Sequence, residues 1–394
     1  MAALFVVTYA MATPLAAYGV FLPVIAESFG WSRGAVSTAL STNLVLGGLA
    51  GLVLGPLADR RGPRVMLVLT VALAGIAFAL VSALSSLWQL HLFVGVMGGI
   101  GMSSFYLLSA STISRWFEAQ RGLALALVLV GFNLGYISAG PLAAWLIAMV
   151  GWRGAYALIG SGCGLLAVLA ALTVRLPRPS ETASPHRSAS VLAPRSAVVS
   201  GLTFGQAFAD PRQWYLNVAW LLLGGVSLMV SVHAVPFARD QGIGLAGASL
   251  ALTAYGVGAV GGRLTAGTLS DRLGTATTIR AAYVVEMLAL AALLWAPSRE
   301  ALLGSLVAFG AGFAASDTMM VKVVPDVFGV RAIGAVMGVL SLGWRCGAAV
   351  GPAAAGFLYD LTGSYTVPFA AAPLAVAASW ALFTLATARR PTHR

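Results

Sequence analysis

Apolar runs of about 20 residues, the length that carries a helix across a bilayer core, recur from one end of this 394-residue chain to the other, and no other feature constrains its fold as strongly. Twelve such runs begin near Ala3, Ser37, Arg64, Leu90, Arg121, Arg153, Gln213, Leu245, Ile279, Glu300, Ala332 and Tyr365. Charged residues make up only 9% of the chain and the mean hydropathy is +0.90, which is more apolar surface than a soluble core can bury. Backbone groups in lipid must find partners within their own segment, so the runs are expected to be helices and the fold all-α and multi-pass. The first run lacks a basic leader and continues to full span length, so it reads as the first helix and not as a cleaved signal.

A net charge of +11 would suggest nucleic acid in a soluble protein, but here the charge follows the membrane. Of the 23 Lys and Arg, 17 fall in alternate connections and at the tail, and Arg33, Arg153, Arg239 and Arg299 fall in the opposite set. By the positive-inside rule both termini and the central loop are expected in the cytoplasm of a plasma membrane, bacterial inner membrane by type. The two cations left over, Arg263 and Arg345, lie inside spans. Cys163 and Cys346 both sit in apolar segments and form no disulfide framework.

The stretch Leu176 to Asp210 is rich in Pro, Ser and Arg and interrupts the apolar pattern. It divides the chain into a first six-helix half at 1–175, a linker at 176–212 and a second half at 213–394. The halves repeat each other. Gly51 to Arg64 reads GLVLGPLADRRGPR and Gly262 to Thr275 reads GRLTAGTLSDRLGT, and an offset of 212 lays Gly55, Asp59, Arg60 and Gly62 on Gly267, Asp271, Arg272 and Gly274. In that alignment Arg263 replaces Gly51; further on, an offset of 211 sets Arg345 against Leu134 and Asp317 against Tyr106. Duplicated bundles around a midplane site are a common transporter plan. The glycines of the D-R-x-G element suit close packing and a tight turn, and its Asp and Arg suit helix ends, so the eight residues form a candidate conformational latch.

GPLADRRG and GTLSDRLG resemble the cytoplasmic loop motif of the major facilitator superfamily, once per half. Tyr18 to Ser37, Ile113 to Leu127 and His233 to Ile243 resemble its bacterial monocarboxylate and oxalate/formate porter branch. The resemblance covers nearly the whole chain. It implies the major facilitator fold, twelve transmembrane helices in two pseudo-symmetric bundles, moving a small carboxylate by alternating access, as proton symport or as anion exchange. It also implies that Arg263 corresponds to the helix 8 arginine that binds substrate carboxylate, although Ala259 stands where eukaryotic relatives carry an Asp. Arg345 stands where the oxalate/formate porters carry a helix 11 lysine.

A guanidinium cannot shed its proton to escape burial, so each arginine needs a partner, water or an anionic ligand. Two cations about 6 Å apart repel by roughly 3 kcal/mol at an effective dielectric near 20, and a carboxylate between them relieves that cost. The plain alternative is an internal ion pair with Asp317 or Glu286. Asp317 is a candidate for the coupling proton or a static counter-ion for Arg345 or Lys322; Glu286 reads as structural or exposed at the cytoplasmic interface. His233 is a second proton-coupling candidate and a substrate-facing one, or a packed core histidine. Tyr18, Tyr106, Asn133, Tyr136 and Tyr255 are candidates to line the cavity, and Trp344 beside Arg345 is expected to point elsewhere. No Walker motif, zinc spacing or nucleophile and base pair is present, so neither cofactor nor catalysis is expected. The expected partners are a small carboxylate, protons and the lipid bilayer, without nucleic acid, and the chain is expected to act as a monomer. Drug efflux would favour acidic central residues, and an anion sensor would need a larger soluble domain than the linker provides.

Overall fold

In the computed structural model, residues 1–116, 121–175, 201–296, 298–329 and 331–388 are described. The apolar runs become helices, and several of them start or stop at a glycine or a polar cap. Helix α1 (Ala2–Phe29) ends on Gly30 at φ 66°, and α2 (Arg33–Arg61) starts at Ser32, whose hydroxyl accepts from Ala35 N–H. Then α2 turns into α3 (Pro63–Leu80) at Gly62, with φ 88°, and Pro63 opens the new helix without needing an N–H partner. The fourth span, α4, covers 87–116 in pieces: Leu87–Leu90, a π-helical stretch His91–Met97, Gly98–Met102 and Phe105–Trp116. A single long helix, Arg121–Leu172, bends sharply at Gly151 (φ 73°) and supplies two spans, α5 (121–150) and α6 (152–172).

The second half contains α7 (Pro211–Asp240), α8 (Leu245–Leu273), α9 (Thr275–Leu294), α10 (Arg299–Phe328), α11 (Ile333–Thr362) and α12 (Thr366–Thr387). Turn geometry repeats with the sequence: Gly274 between α8 and α9 has φ 83° and ψ 152°, against 88° and 142° at Gly62. The stretch expected to be all linker ends in structure. Gly201 bridges Gly329, Leu202 N–H donates to Phe328 O at 2.9 Å, and a short helix, Phe204–Ala209, opens on a Thr203 and Gln206 capping box.

Among the described residues the result is a multi-pass membrane protein of twelve spans in two six-helix bundles. In the first, α1 packs on the long α5–α6 helix and α2 on α4; in the second, α7 packs on α11 and α8 on α10. The bundles meet along α2 with α11, α5 with α8 and α1 with α7. Their contacts gather at the end that carries the turns at Gly30, Gln241 and Gly363. There Arg33 donates to both carboxylate oxygens of Asp240 at 2.8 and 2.9 Å and lies 4.0 Å over the Tyr359 ring. Arg239 pairs with Glu27 at 3.0 Å, and the Asp360 carboxylate accepts Arg33 N–H and Gly34 N–H at 2.9 and 2.8 Å. Somewhat deeper, Ser41 donates to Ala349 O and Thr253 donates to Ile137 O.

Candidate functional site

Close packing of α8 on α10 builds the centre. A Cβ at Gly262 would collide with the backbone of Ala311, so only glycine lets the two helices approach there. That approach places Arg263, the next residue on α8, within reach of Asp317 on α10. Arg263 Nη2 stands 3.8 Å from Asp317 Oδ2, and Arg263 Nη1 donates to Asn133 Oδ1 of α5, in the other bundle, at 2.8 Å. Asp317 Oδ1 also accepts from Trp220 Nε1 of α7 at 3.2 Å. Arg263 and Asp317 retain 32% and 27% side-chain exposure, so a solvent-sized ligand reaches both.

An aromatic wall flanks this group. Tyr136 and Tyr255 face each other across the bundles with centroids 6.2 Å apart, Phe132 stands 5.2 Å from Tyr136, and Phe309 stands 5.9 Å from Tyr255. The Tyr255 hydroxyl shares a 3.0 Å hydrogen bond with Ser227. Among the expected lining residues, Asn133, Tyr136 and Tyr255 therefore come together around Arg263. Arg345 is half-buried on α11, and its stem passes beside Gly48 of α2, where an added Cβ would lie 3.3 Å from its Cδ. Among the described residues no carboxylate or carbonyl accepts from its guanidinium. Trp344 packs against Gly224 of α7, away from its neighbour, as its position one residue on requires.

Other expectations need correction. Tyr18 does not line the chamber: it is fully buried and donates to Val36 O at 2.6 Å, tying α1 to α2. His233 lies in the closed end and not beside Arg263. It is fully buried, with Nε2 at 2.8 Å from Pro352 O, Nδ1 at 2.9 Å from the Tyr365 hydroxyl, and Ser37 of the opposite bundle 3.5 Å away. A carbonyl can only accept, so Nε2 carries the hydrogen, and a neutral ring then accepts from Tyr365 at Nδ1. Asp317 partners Arg263 and Trp220; Lys322, offered as an alternative partner, instead donates to Ser270 at 2.8 Å and Asp271 at 3.1 Å. Glu286 is fully buried between α9 and α10 and is not exposed at an interface.

In the latch, Gly62 and Gly274 have the positive φ that a tight turn needs, and Asp271 accepts from Lys322, not from a helix N-terminus. Arg60 and Arg272 are exposed. A Cβ at Gly267 would meet nothing within 4 Å, so that glycine serves no close packing. The side chains of Gly55, Asp59 and Tyr106 lie outside the described residues. Trp220, Ser227 and the Asp360 cap were not anticipated. Their only sequence signal was a polar group inside or at the end of an apolar span.

Paired six-helix bundles with a cation held between them define a class, the membrane carrier. The profile of the Major Facilitator Superfamily matches residues 2–244 and again 224–394, and the chain belongs to that superfamily. It is 29% identical over 366 residues to human monocarboxylate transporter 11, covering 90% of this chain and 75% of that one. It is 25% identical over 272 residues to the oxalate:formate antiporter of Oxalobacter formigenes, covering 68% and 62%. Among solved structures, a bacterial homologue of the human lysosomal transporter Spinster in an inward-facing, occupied conformation superposes with a TM-score of 0.78 at 18% identity, covering 98% and 95% of the two chains. The protein is a membrane transporter and not an enzyme.

Proposed function

We propose that this transporter moves small carboxylate anions, with Arg263 as the principal receptor and proton-coupled monocarboxylate uptake as its mode. The observation that carries the proposal is the half-filled Arg263 fork. One of its five donors makes a short bond to a neutral amide, and among the described residues its one carboxylate partner stands off at 3.8 Å. A substrate carboxylate offers the bidentate geometry that the protein withholds, while the aromatic wall accepts a short organic body. The names of the relatives, a monocarboxylate transporter and an oxalate:formate antiporter, agree with that chemistry.

Proton coupling follows from Asp317. A carboxylate substrate that takes Arg263 leaves Asp317 without its cation at membrane depth, and protonation removes that cost. His233, held in the closed end, serves the gate. The second reading is exchange of mono- and dicarboxylates, favoured by Arg345, which has no acceptor among the described residues and suits a second carboxylate.

The two halves, 1–175 and 213–394, rock about the centre, and the D-R-x-G turns at 55–62 and 267–274 latch one of the two states. With the basic connections on the cytoplasmic side of a bacterial inner membrane, the closed end faces outward and the conformation is inward-open. The unit of transport is the monomer. Labelled uptake into proteoliposomes over a panel of mono- and dicarboxylates tests the proposal: stimulation by an inward proton gradient is expected, stimulation only by preloaded anion supports exchange, and no carboxylate uptake refutes both.

A further inference from the structure

The repeat places the same contact in both halves with different chemistry. In the first half, Gly101 of α4 presses against Ala74 of α3; in the second, Gly312 of α10 presses against Glu286 of α9, and its ideal Cβ would lie 2.7 Å from the glutamate Cγ. Those pairs correspond at the repeat offsets of 211 and 212. A small apolar residue therefore suffices for the packing, and the second half carries a carboxyl there for another reason. It is fully buried, 11 residues from the start of α9, which is about 16 Å into the membrane at 1.5 Å per residue.

Among the described residues no cation is left to balance it. The α12 helix carries no ionisable side chain at all. On α10, Asp317 points to the opposite side, at Arg263 and Trp220, and Lys322 is bound to Ser270 and Asp271. On α9 itself, Tyr283 bonds Ser379 at 3.0 Å, and on α8 the central cation, Arg263, is engaged with Asn133 and Asp317. The partner of Glu286 is the Ser316 hydroxyl, 2.6 Å from Oε1, and among the described residues Oε2 has no partner. Ser316 also lies 2.9 Å from Phe313 O. A hydroxyl has one hydrogen, so it cannot give both a full bond and at best shares it between them. Both distances are satisfied together when Glu286 is the acid: its O–H donates to Ser316, and Ser316 donates to Phe313 O. An ionised, unpaired carboxylate in the same place would carry the full cost of an isolated buried charge.

From this arrangement we propose that Glu286 is a proton-binding site of the second bundle, occupied in this conformation and linked through Ser316 to the central site. The link is local. Loss of the proton turns the Ser316 hydroxyl from Phe313 O to Glu286, and Phe313 O is the carbonyl that accepts the helical bond from the amide of Asp317, four residues on. Proton occupancy at Glu286 thus bears on the turn that presents Asp317 to Arg263. The transport consequence rests on the carboxylate reading above; the protonation itself does not.

Infrared difference spectra of the purified full-length protein at neutral pH, wild type against Glu286→Gln, are expected to contain a protonated-carboxyl band that the variant lacks and that Ser316→Ala shifts. Absence of that band means an ionised Glu286 and overturns the proposal. In proteoliposomes, Glu286→Gln, which keeps shape and neutrality, is expected to exchange labelled carboxylate within about twofold of wild type and to lose at least about fivefold of the stimulation by an inward proton gradient. Undiminished stimulation, or a wild type that exchanges but ignores the gradient, overturns the link to transport. A wild type that exchanges no carboxylate brings down the carboxylate reading instead, and the infrared result still decides the proton site.

Discussion

Arg33 and Arg263 are both guanidinium groups held between the two bundles, and their surroundings are opposite. Arg33 fills its fork with both oxygens of Asp240, at 2.8 and 2.9 Å, and lies on the face of Tyr359. Arg263 has one short bond, to a neutral amide, and a carboxylate held off at 3.8 Å. An arginine whose fork is filled by a protein carboxylate acts as a strut, and the proposal above makes the one with an unfilled fork at membrane depth the receptor. The residue type is the same, but Arg33 opens a helix and Arg263 lies inside one, so position along the span and what the opposite bundle offers there set the two apart.

The contrast breaks most directly at Arg263. Arg263→Ala is expected to lower carboxylate affinity at least about 100-fold, near 3 kcal/mol, and Arg263→Lys to fall almost as far because a point charge loses the two-oxygen fit. Equilibrium binding of labelled substrate to purified variants checks this, and wild-type affinity in either variant would erase the distinction between strut and receptor. Next in size, Arg33→Ala is expected to destabilise the closed end by about 2 kcal/mol, since it leaves Asp240 partly buried without its partner. A drop in thermal midpoint followed by tryptophan fluorescence reports it, with substrate affinity changed less than threefold; a loss of affinity as large as at Arg263 would make Arg33 a receptor too.

Arg345→Ala sharpens the comparison inside the chamber. Dicarboxylate affinity is expected to fall about tenfold, or 1.4 kcal/mol, while monocarboxylate affinity moves less than threefold; equal losses in competition assays would mark Arg345 as structural. The smallest effects belong to the closed end. Tyr18→Phe and His233→Gln each remove hydrogen bonds to a buried partner and are expected to cost about 1 kcal/mol of stability with no change in binding. A tenfold loss of carboxylate affinity in His233→Gln would return that histidine to the chamber.

The twelve spans, the pairing of the halves and the glycine turns were legible because each rests on a local rule: length of an apolar run, duplication of a motif, positive φ at Gly62 and Gly274. Arg263 was legible because a charge inside such a run has few explanations. The facing of neutral residues was not. Every face of a membrane helix is apolar, lipid side and core side alike, so spacing along α1 or α7 does not say whether Tyr18 or His233 turns to the chamber or to a neighbour. Of the two readings of Glu286, structural or exposed, burial removes only the second. Its surroundings depend on Gly312, a residue of another helix whose missing side chain makes the room.

The start of α2 is finished by a residue that belongs to the other bundle: Ser32 receives Ala35 N–H, but the two amides before it are received by Asp360. When that end parts, both amides and the carboxylate pass to water, which replaces the lost bonds almost one for one at a net cost of about 1 kcal/mol each. The clasp therefore holds the two bundles together at a solvent-accessible seam, where water stands ready to take over each bond it releases.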